Sequence, residues 1–307
     1  MSAGARLLED RGAAAAGPEF FRSAEFMAAE GVSHTLLITA EDLELAAPLL
    51  VREIAGGGVD AISPYGYPGL SAPPGTRLAA AEVDWSPTGL VSIFLRHRVD
   101  GDPPIADATA RNQVQIADPA LPAKSRPSDR RQIRRNAENG YEVRRIAGPR
   151  ASDAERHGFL AAYEETMRRS DADQRYVFTE EYFAQILAFE DSHLFLAVEP
   201  GGEVAAASIV TRSDAMLHYY LSGTRDRFVA DSPMKNVVAS IVLFAAERDM
   251  PLNLGGGIRP GDALEEFKRG FANRSEPFRS SEIVADPAAY ERLSGGSAGS
   301  FFPAYRA

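Results

Sequence analysis

Leu254-Gly255-Gly256-Gly257 is followed ten residues later by Phe267-Lys268-Arg269-Gly270-Phe271. Three glycines after an apolar run let the backbone turn tightly and approach a ligand that side chains would block. Between Asp262 and Phe271, the apolar residues Leu264, Phe267 and Phe271 recur at i, i+3 and i+7, which predicts one helical face. Lys268 lies on the edge of that face, where its ammonium can project into whatever Gly255, Gly256 and Gly257 open onto. A lysine so placed is a clamp for negative charge developing in a reaction. The competing reading is a solvated lysine on an amphipathic helix.

A second group of charges lies between Lys124 and Arg150, where nine basic residues face three acids in a chain of net charge −10. Arg134 and Arg135 are its candidates for gripping phosphate, because the planar guanidinium fork matches phosphate oxygens two at a time. A solvated connecting helix is the alternative. The loop Tyr65-Gly66-Tyr67-Pro68-Gly69 sets Tyr65 and Tyr67 beside glycines, either as a wall for a substrate or as a structural turn.

Other chemistries are excluded by composition. The chain has no cysteine, so thiol nucleophiles, disulfides and cysteine metal sites are out. Its five histidines (His34, His97, His157, His193 and His218) include no i, i+3 or i+4 pair, so no metal site is expected. No Gly-x-Ser-x-Gly elbow occurs, which argues against a covalent acyl-enzyme. No apolar run reaches the length of a membrane span, and residues 1–17 read as a disordered tail and not as a signal peptide. A cytoplasmic protein is expected.

The elements that must position these residues follow from periodicity. The 307 residues suit two domains. Phe20 to Met27 reads as a helix, Thr35 to Thr39 and Ala47 to Ile54 as strands, and Asp60 to Leu70 as a loop. A helix from Ser128 stops at Gly140, and Tyr141 to Ile146 alternates as a strand. Helices are expected over Ser152 to Ser170 and Thr179 to Phe189. Strands follow over His193 to Val198, Val204 to Thr211, Ala215 to Leu221 and Pro251 to Leu254, with a helix from Pro233 to Arg248 before the last. A final strand is Glu282 to Val284. The resulting class is α/β with mixed sheets. The second half echoes the first, so two related domains facing a shared cleft are expected. The divisions are a tail 1–17, an N-terminal domain 18–125, a basic connecting helix and strand 126–150, a C-terminal domain 151–293 and a flexible tail 294–307.

Several of these segments together resemble the Fem-type branch of the GNAT acyltransferase superfamily. They are Ser63 to Gly69, the Arg131 to Asn136 helix ending in Gly140-Tyr141, Tyr163 to Arg169, Tyr176-Val177-Phe178, His218 to Thr224, and Gly255 to Phe271. The likeness spans residues 18 to 290. It implies tandem GNAT-like domains and transfer of an acyl group, often an aminoacyl group from aminoacyl-tRNA, to an amine. It also implies roles for residues at matching positions. Lys268 matches the lysine of the family's Phe-Lys-x-x-Phe pattern and takes the oxyanion or leaving-group role. Tyr219 or Tyr220 donates a proton at the edge of a splayed strand, with Ser222 beside them, and Arg168 and Tyr176 join the substrate contacts. The long helical arm of the cell-wall members is missing.

Members that use acyl-CoA carry a Gln/Arg-x-x-Gly-x-Gly/Ala loop, whose amides at a helix N-terminus hold the pyrophosphate. Here Thr224 to Pro233 has no glycine and includes Asp226 and Asp231, which would repel it. The expected function is direct amide formation from aminoacyl-tRNA onto the amine of a small acceptor, a specialised metabolite or a cell-wall precursor. No bound cofactor is expected. The alternatives are an acyl-CoA-dependent N-acyltransferase and a non-catalytic binding module.

Overall fold

Small residues at the N-terminus pair into a sheet. The computed structural model describes residues 3–99, 101–173, 176–295 and 301–307. In it β1 (Ala3–Leu8) runs antiparallel to β2 (His34–Ala40), with Gly4 opposite Thr39 and Leu8 opposite Thr35. The disordered tail expected over 1–17 is therefore corrected. Ala3 and Ala5 are too small to stand out by hydropathy, yet both are buried in the core. The helix expected from Phe20 begins as a 3-10 turn and becomes α1 (Ala24–Ala29) once Ser23 Oγ accepts the Phe26 N–H at 3.1 Å.

Strands β3 (Leu43–Glu53), β4 (Val59–Ile62), β5 (Val83–Asp84) and β6 (Ser92–Arg96) continue the first sheet. β4 opens the stretch expected to be a loop, because Asp60 and Ala61 pair with Arg52 and Val51. The chain then passes through β7 (Thr109–Ala117), α2 (Pro127–Glu138), β8 (Glu142–Ala147), α3 (Asp153–Arg169), α4 (Glu180–Ala188), β9 (Ser192–Val198), β10 (Val204–Ser213) and β11 (Met216–Thr224). It continues through α5 (Met234–Glu247), β12 (Leu252–Gly255) and α6 (Ala263–Arg269) to β13 (Arg274–Val284) and α7 (Pro287–Ser294).

Two compact units result, Met1–Arg111 with Pro277–Ala307, and Asn112–Glu276. The expected divisions at 125/126, 150/151 and 293/294 are thus replaced. The basic helix α2 and strand β8 are part of the second unit, and the chain returns to the first at Pro277. Its return is fixed by β13 pairing with β6, Ser280 opposite Arg96 and Val284 opposite Ser92. Of the expected flexible tail, residues 296–300 lie outside the described residues. The end of the chain is held to the first unit, where Arg306 Nε donates to Asp60 Oδ2 at 2.6 Å and Tyr305 OH lies 2.7 Å from Ser92 Oγ.

In the first unit the strand order is β5-β1-β2-β3-β4-β6-β13, over a core that includes Leu36, Ile38, Leu49, Ile93 and Leu95. In the second it is β7-β12-β11-β10-β9-β8. One side of that sheet buries Phe195, Val210, Leu217, Val237, Ile241 and Phe271 together, which joins α5 to the strands. The helix expected over Ser152 to Ser170 forms as α3, its start fixed by a capping box between Ser152 and Glu155.

Candidate active site

Two strands of the second unit part where the chemistry was expected. β11 and β12 run parallel for two residue pairs, Leu217 with Leu252 and His218 with Asn253, and the ladder ends there. β12 then turns at Gly255, whose φ of 77° is left-handed and favours glycine. On its other side, β11 pairs with β10 through a bulge: Tyr219 faces Val210 and Leu221 faces Ile209, leaving Tyr220 as the extra residue.

The glycines after β12 are filled by the protein itself. A Cβ on Gly256 would lie 2.6 Å from Gln113 O and 2.9 Å from Asn112 Nδ2, and one on Gly257 would lie 2.3 Å from Asp262 Oδ1. Asn112 Nδ2 donates to Gly257 O at 2.9 Å. These glycines let the chain press against β7 and against the start of α6. The space their missing side chains leave is taken by these neighbours.

α6 presents a different face from the one expected. Leu264 is 40% exposed, whereas Glu265 and Lys268 are the buried positions of the helix. Phe267 is partly buried, and Phe271 lies past the helix end. Burying two charged groups requires partners for both. Glu265 accepts the Gly261 N–H at 2.7 Å and pairs with Arg269. Lys268, 8% exposed, donates Nζ to Gly256 O at 2.7 Å and sits 5.9 Å from the centre of the Tyr219 ring. Burial pulls its pKa down to about 8, with Asp262 acting in the opposite direction. At neutral pH it is an ammonium with one N–H on Gly256 and two more donors to offer.

Asp262 is the group the sequence reading missed. Its Oδ2 accepts the N–H of Ile258 at 2.7 Å and of Arg259 at 2.9 Å, while Oδ1 accepts that of Glu265 at 2.8 Å. Burial works to raise its pKa, but these hydrogen bonds prevail and hold the carboxyl below the usual range. It closes the glycine loop onto α6 and so sets where Lys268 points. An acid three residues before Glu265 is a capping signal legible in sequence. Asp262→Ala is expected to lower stability by about 1–2 kcal/mol, the cost of a lost N-cap. It should also bring the Lys268 pKa below about 8 by removing the nearby negative charge. Thermal unfolding and pH-dependent labelling of Lys268 measure the two effects.

The tyrosines separate. Tyr219 packs against the core on the side of α5 and Phe271, near Lys268. Burial raises its pKa to about 12, against a hydrogen bond with Ser222 that lowers it, so its phenol keeps its proton. Tyr220 instead lies 2.6 Å, hydroxyl to hydroxyl, from Tyr182 of α4. His218 is buried between Asn253 Nδ2 at 3.2 Å and Ser213 O at 3.3 Å, and burial lowers its pKa to about 4. It is a neutral structural imidazole.

The remaining candidates have surroundings of their own. Arg134 and Arg135 are exposed on α2. Arg168 pairs with Asp226 at 2.9 Å on the surface. The Tyr176 carbonyl accepts from Tyr163 OH at 2.6 Å. Tyr65 and Tyr67 belong to the first unit, where the Tyr65 N–H meets Glu30 at 2.7 Å and the Tyr67 ring stands edge-on to Phe21 and Phe278. The Gly66 Cβ position there is 2.4 Å from the Phe21 ring, so this loop needs glycine for packing.

The segment after β11 is occupied by its own side chains. Asp226 is held by Arg168 and Arg169, and its N–H is taken by Glu165 Oε2 at 2.6 Å. Asp231 accepts from Tyr141 OH at 2.8 Å, and its carbonyl accepts from Gln132 and Asn136. Among the described residues no group of His, Asp and Glu could hold a metal ion, and no helix is long and apolar enough to cross a membrane.

Residues 123–269 match the family model described as an acetyltransferase (GNAT) domain. A search of curated proteins found no match. Solved structures do resemble the chain. FemX is 11% identical with a TM-score of 0.54, over 84% of this chain and 89% of that one. The C-terminal domain of a putative lysylphosphatidylglycerol synthetase from Agrobacterium fabrum is 11% identical with a TM-score of 0.56, over 91% and 92%. L-PGS from Bacillus licheniformis is likewise 11% identical at a TM-score of 0.56, over 82% and 84%. At such identity these likenesses establish the fold. Residues 123–269 are thus similar in sequence to GNAT domains, and the parted β11 and β12 lie within that stretch.

Proposed function

We propose that this protein is an aminoacyltransferase that moves an aminoacyl group directly from aminoacyl-tRNA to the amine of a small acceptor. The observation that carries the reading is Lys268, a buried ammonium fixed on Gly256 O beside the gap between β11 and β12. The acceptor nitrogen attacks the ester carbonyl carbon, and the carbonyl electrons move onto oxygen. The free N–H donors of Lys268 stabilise that oxyanion where burial makes charge interactions strong. As the intermediate collapses, the C–O bond to the ribose breaks and the leaving oxygen takes a proton. Tyr219, protonated and near Lys268, donates that proton in this scheme and is reprotonated by the proton the attacking nitrogen sheds as it becomes an amide. Tyr220, bonded to Tyr182, supports the bulge that shapes β11.

The donor is argued from the chain after β11. A pyrophosphate at the N-terminus of α5 would meet Asp231 and the carbonyl ends already engaged by Gln132 and Asn136. Pro233 also removes one N–H there. The similarity to FemX and to lysylphosphatidylglycerol synthetases, the latter named for attaching an amino acid, supports an aminoacyl group as cargo. Incubation with labelled aminoacyl-tRNA and a panel of amines should yield labelled amide that disappears when the tRNA is first digested with RNase. A product formed equally well after digestion would refute this donor.

The family model's description as an acetyltransferase favours a second reading, an acyl-CoA-dependent N-acyltransferase. Thermal stabilisation by coenzyme A distinguishes it, because a ligand bound only to the native state raises the melting temperature.

A further inference from the structure

α2 is anchored on one face and bare on the other. Its inner residues are tied down: Asp129 pairs with Lys235 at 2.9 Å, and Asn136 Nδ2 donates to Asn236 Oδ1 at 2.8 Å. Asn236 Nδ2 in turn donates to Ile133 O at 3.0 Å. The outer face exposes Arg131, Arg134 and Arg135, which form no ion pair among the described residues. Other arginines of the same basic stretch do have carboxylate partners: Arg126 with Glu266, Arg144 with Glu142, and Arg145 with Glu247. The spacing i, i+3, i+4 puts the three free guanidinium groups on one patch of helix.

We infer that this face of α2 docks the phosphodiester backbone of the tRNA that delivers the aminoacyl group, an inference that rests on the donor proposed above. Three observations point to RNA over an anionic membrane. The outer face carries Arg130, Arg131, Arg134, Arg135, Ala137 and Glu138, with no large apolar residue to insert into lipid. The cations are arginines, whose forks fit phosphate oxygens and hold them in register. The face also starts beside the catalytic helix, within the same unit. Arg126 Nη2 donates to Glu266 O of α6 at 2.9 Å, and a Cβ on Gly270 would lie 2.9 Å from Asp129 Oδ2. From Asp129 to Arg135 is about 9 Å of helix at 1.5 Å per residue. A strand held along α2 therefore runs toward the helix that carries Lys268. Fixed counter-charges on a rigid helix bring a polyanion there and release its condensed cations.

The test is fluorescence anisotropy with deacylated tRNA as probe, over a series of salt concentrations. It compares the wild-type protein with R131A/R134A/R135A, whose exposed substitutions leave α2 packing on α5 unchanged. The expected result is at least a tenfold loss of affinity at low salt. The slope of log affinity against log salt should flatten by about 2–3, close to one for each lost phosphate contact. Equal affinity and slope in the two proteins would overturn the docking face while leaving the tRNA donor standing. A wild-type protein that binds no tRNA would overturn both. Arginine-dependent binding to phosphatidylglycerol vesicles without tRNA binding would reassign the face to a membrane and overturn the inference.

Discussion

Lys268→Met lowers the rate of acyl transfer by roughly 10²–10³, the loss that follows removal of one oxyanion donor, with little change in KM. The reason is geometric. Methionine fills the same volume, but nothing then donates from above Tyr219, and Gly256 O loses its partner. The variant also has a signature in stability that separates it from a folding defect. The folded pKa of Lys268 is about 8, below the unfolded value of about 10.4. Between those values the unfolded chain binds the extra proton, so wild-type stability gains from rising pH across this window. The gain is on the order of 3 kcal/mol for such a shift. Below pH 8 both states are protonated and the slope vanishes. Lys268→Met lacks this term, so its stability relative to wild type falls from pH 8 to 10.4. Chemical denaturation at several pH values reads the difference. A variant of unchanged rate would remove Lys268 from the reaction.

Gly223→Ala is expected to destabilise the protein by about 2–3 kcal/mol, the range for overpacking where neighbours cannot yield. The added Cβ would lie 2.3 Å from Ala162 O and 2.5 Å from the Tyr163 N of α3, both backbone atoms. Helix α3 also receives the Thr224 N–H on Thr166 Oγ1 at 2.8 Å, so it cannot move away without breaking that bond. Because Gly223 lies on β11, displacement there also moves Tyr219. Gly202→Ala is the control: its φ of +92° strains the new residue, but no atom lies within 4 Å of the added Cβ. Thermal unfolding should therefore show a clearly larger loss for Gly223→Ala. Equal losses would mean that the contact with α3 is relieved by a small shift and costs no more than the backbone strain at Gly202.

What the sequence made legible follows from how local each signal is. The capping box at Ser152 and the near-continuous apolar runs of β9 and β10 depend on neighbours in sequence, so the helix and strands of the second unit could be placed. β1 escaped because Ala3, Gly4 and Ala5 bury little surface each and acquire strand character only from β2. The unit boundaries escaped because β13 returns to β6 across the whole length of the second unit. The face of α6 was misread for a physical reason. Leu264 and Phe267 suggested an apolar stripe, but the helix buries Glu265 and Lys268 with dedicated partners and leaves Leu264 in water. Periodicity counts apolar residues and is blind to buried charge. Tyr219 and Tyr220 could not be told apart because a one-residue bulge, invisible in the sequence, decides which one nears Lys268.

One measurement bears most directly on the role of Lys268: single-turnover transfer from aminoacyl-tRNA to an amine of low pKa, followed from pH 6 to 10. The wild-type rate should fall as pH rises through about 8, because the ammonium form is the active one and is lost there. The residual rate of Lys268→Met should show no such fall. An alkaline decline of the same midpoint in both proteins, or none in the wild type, would contradict the account.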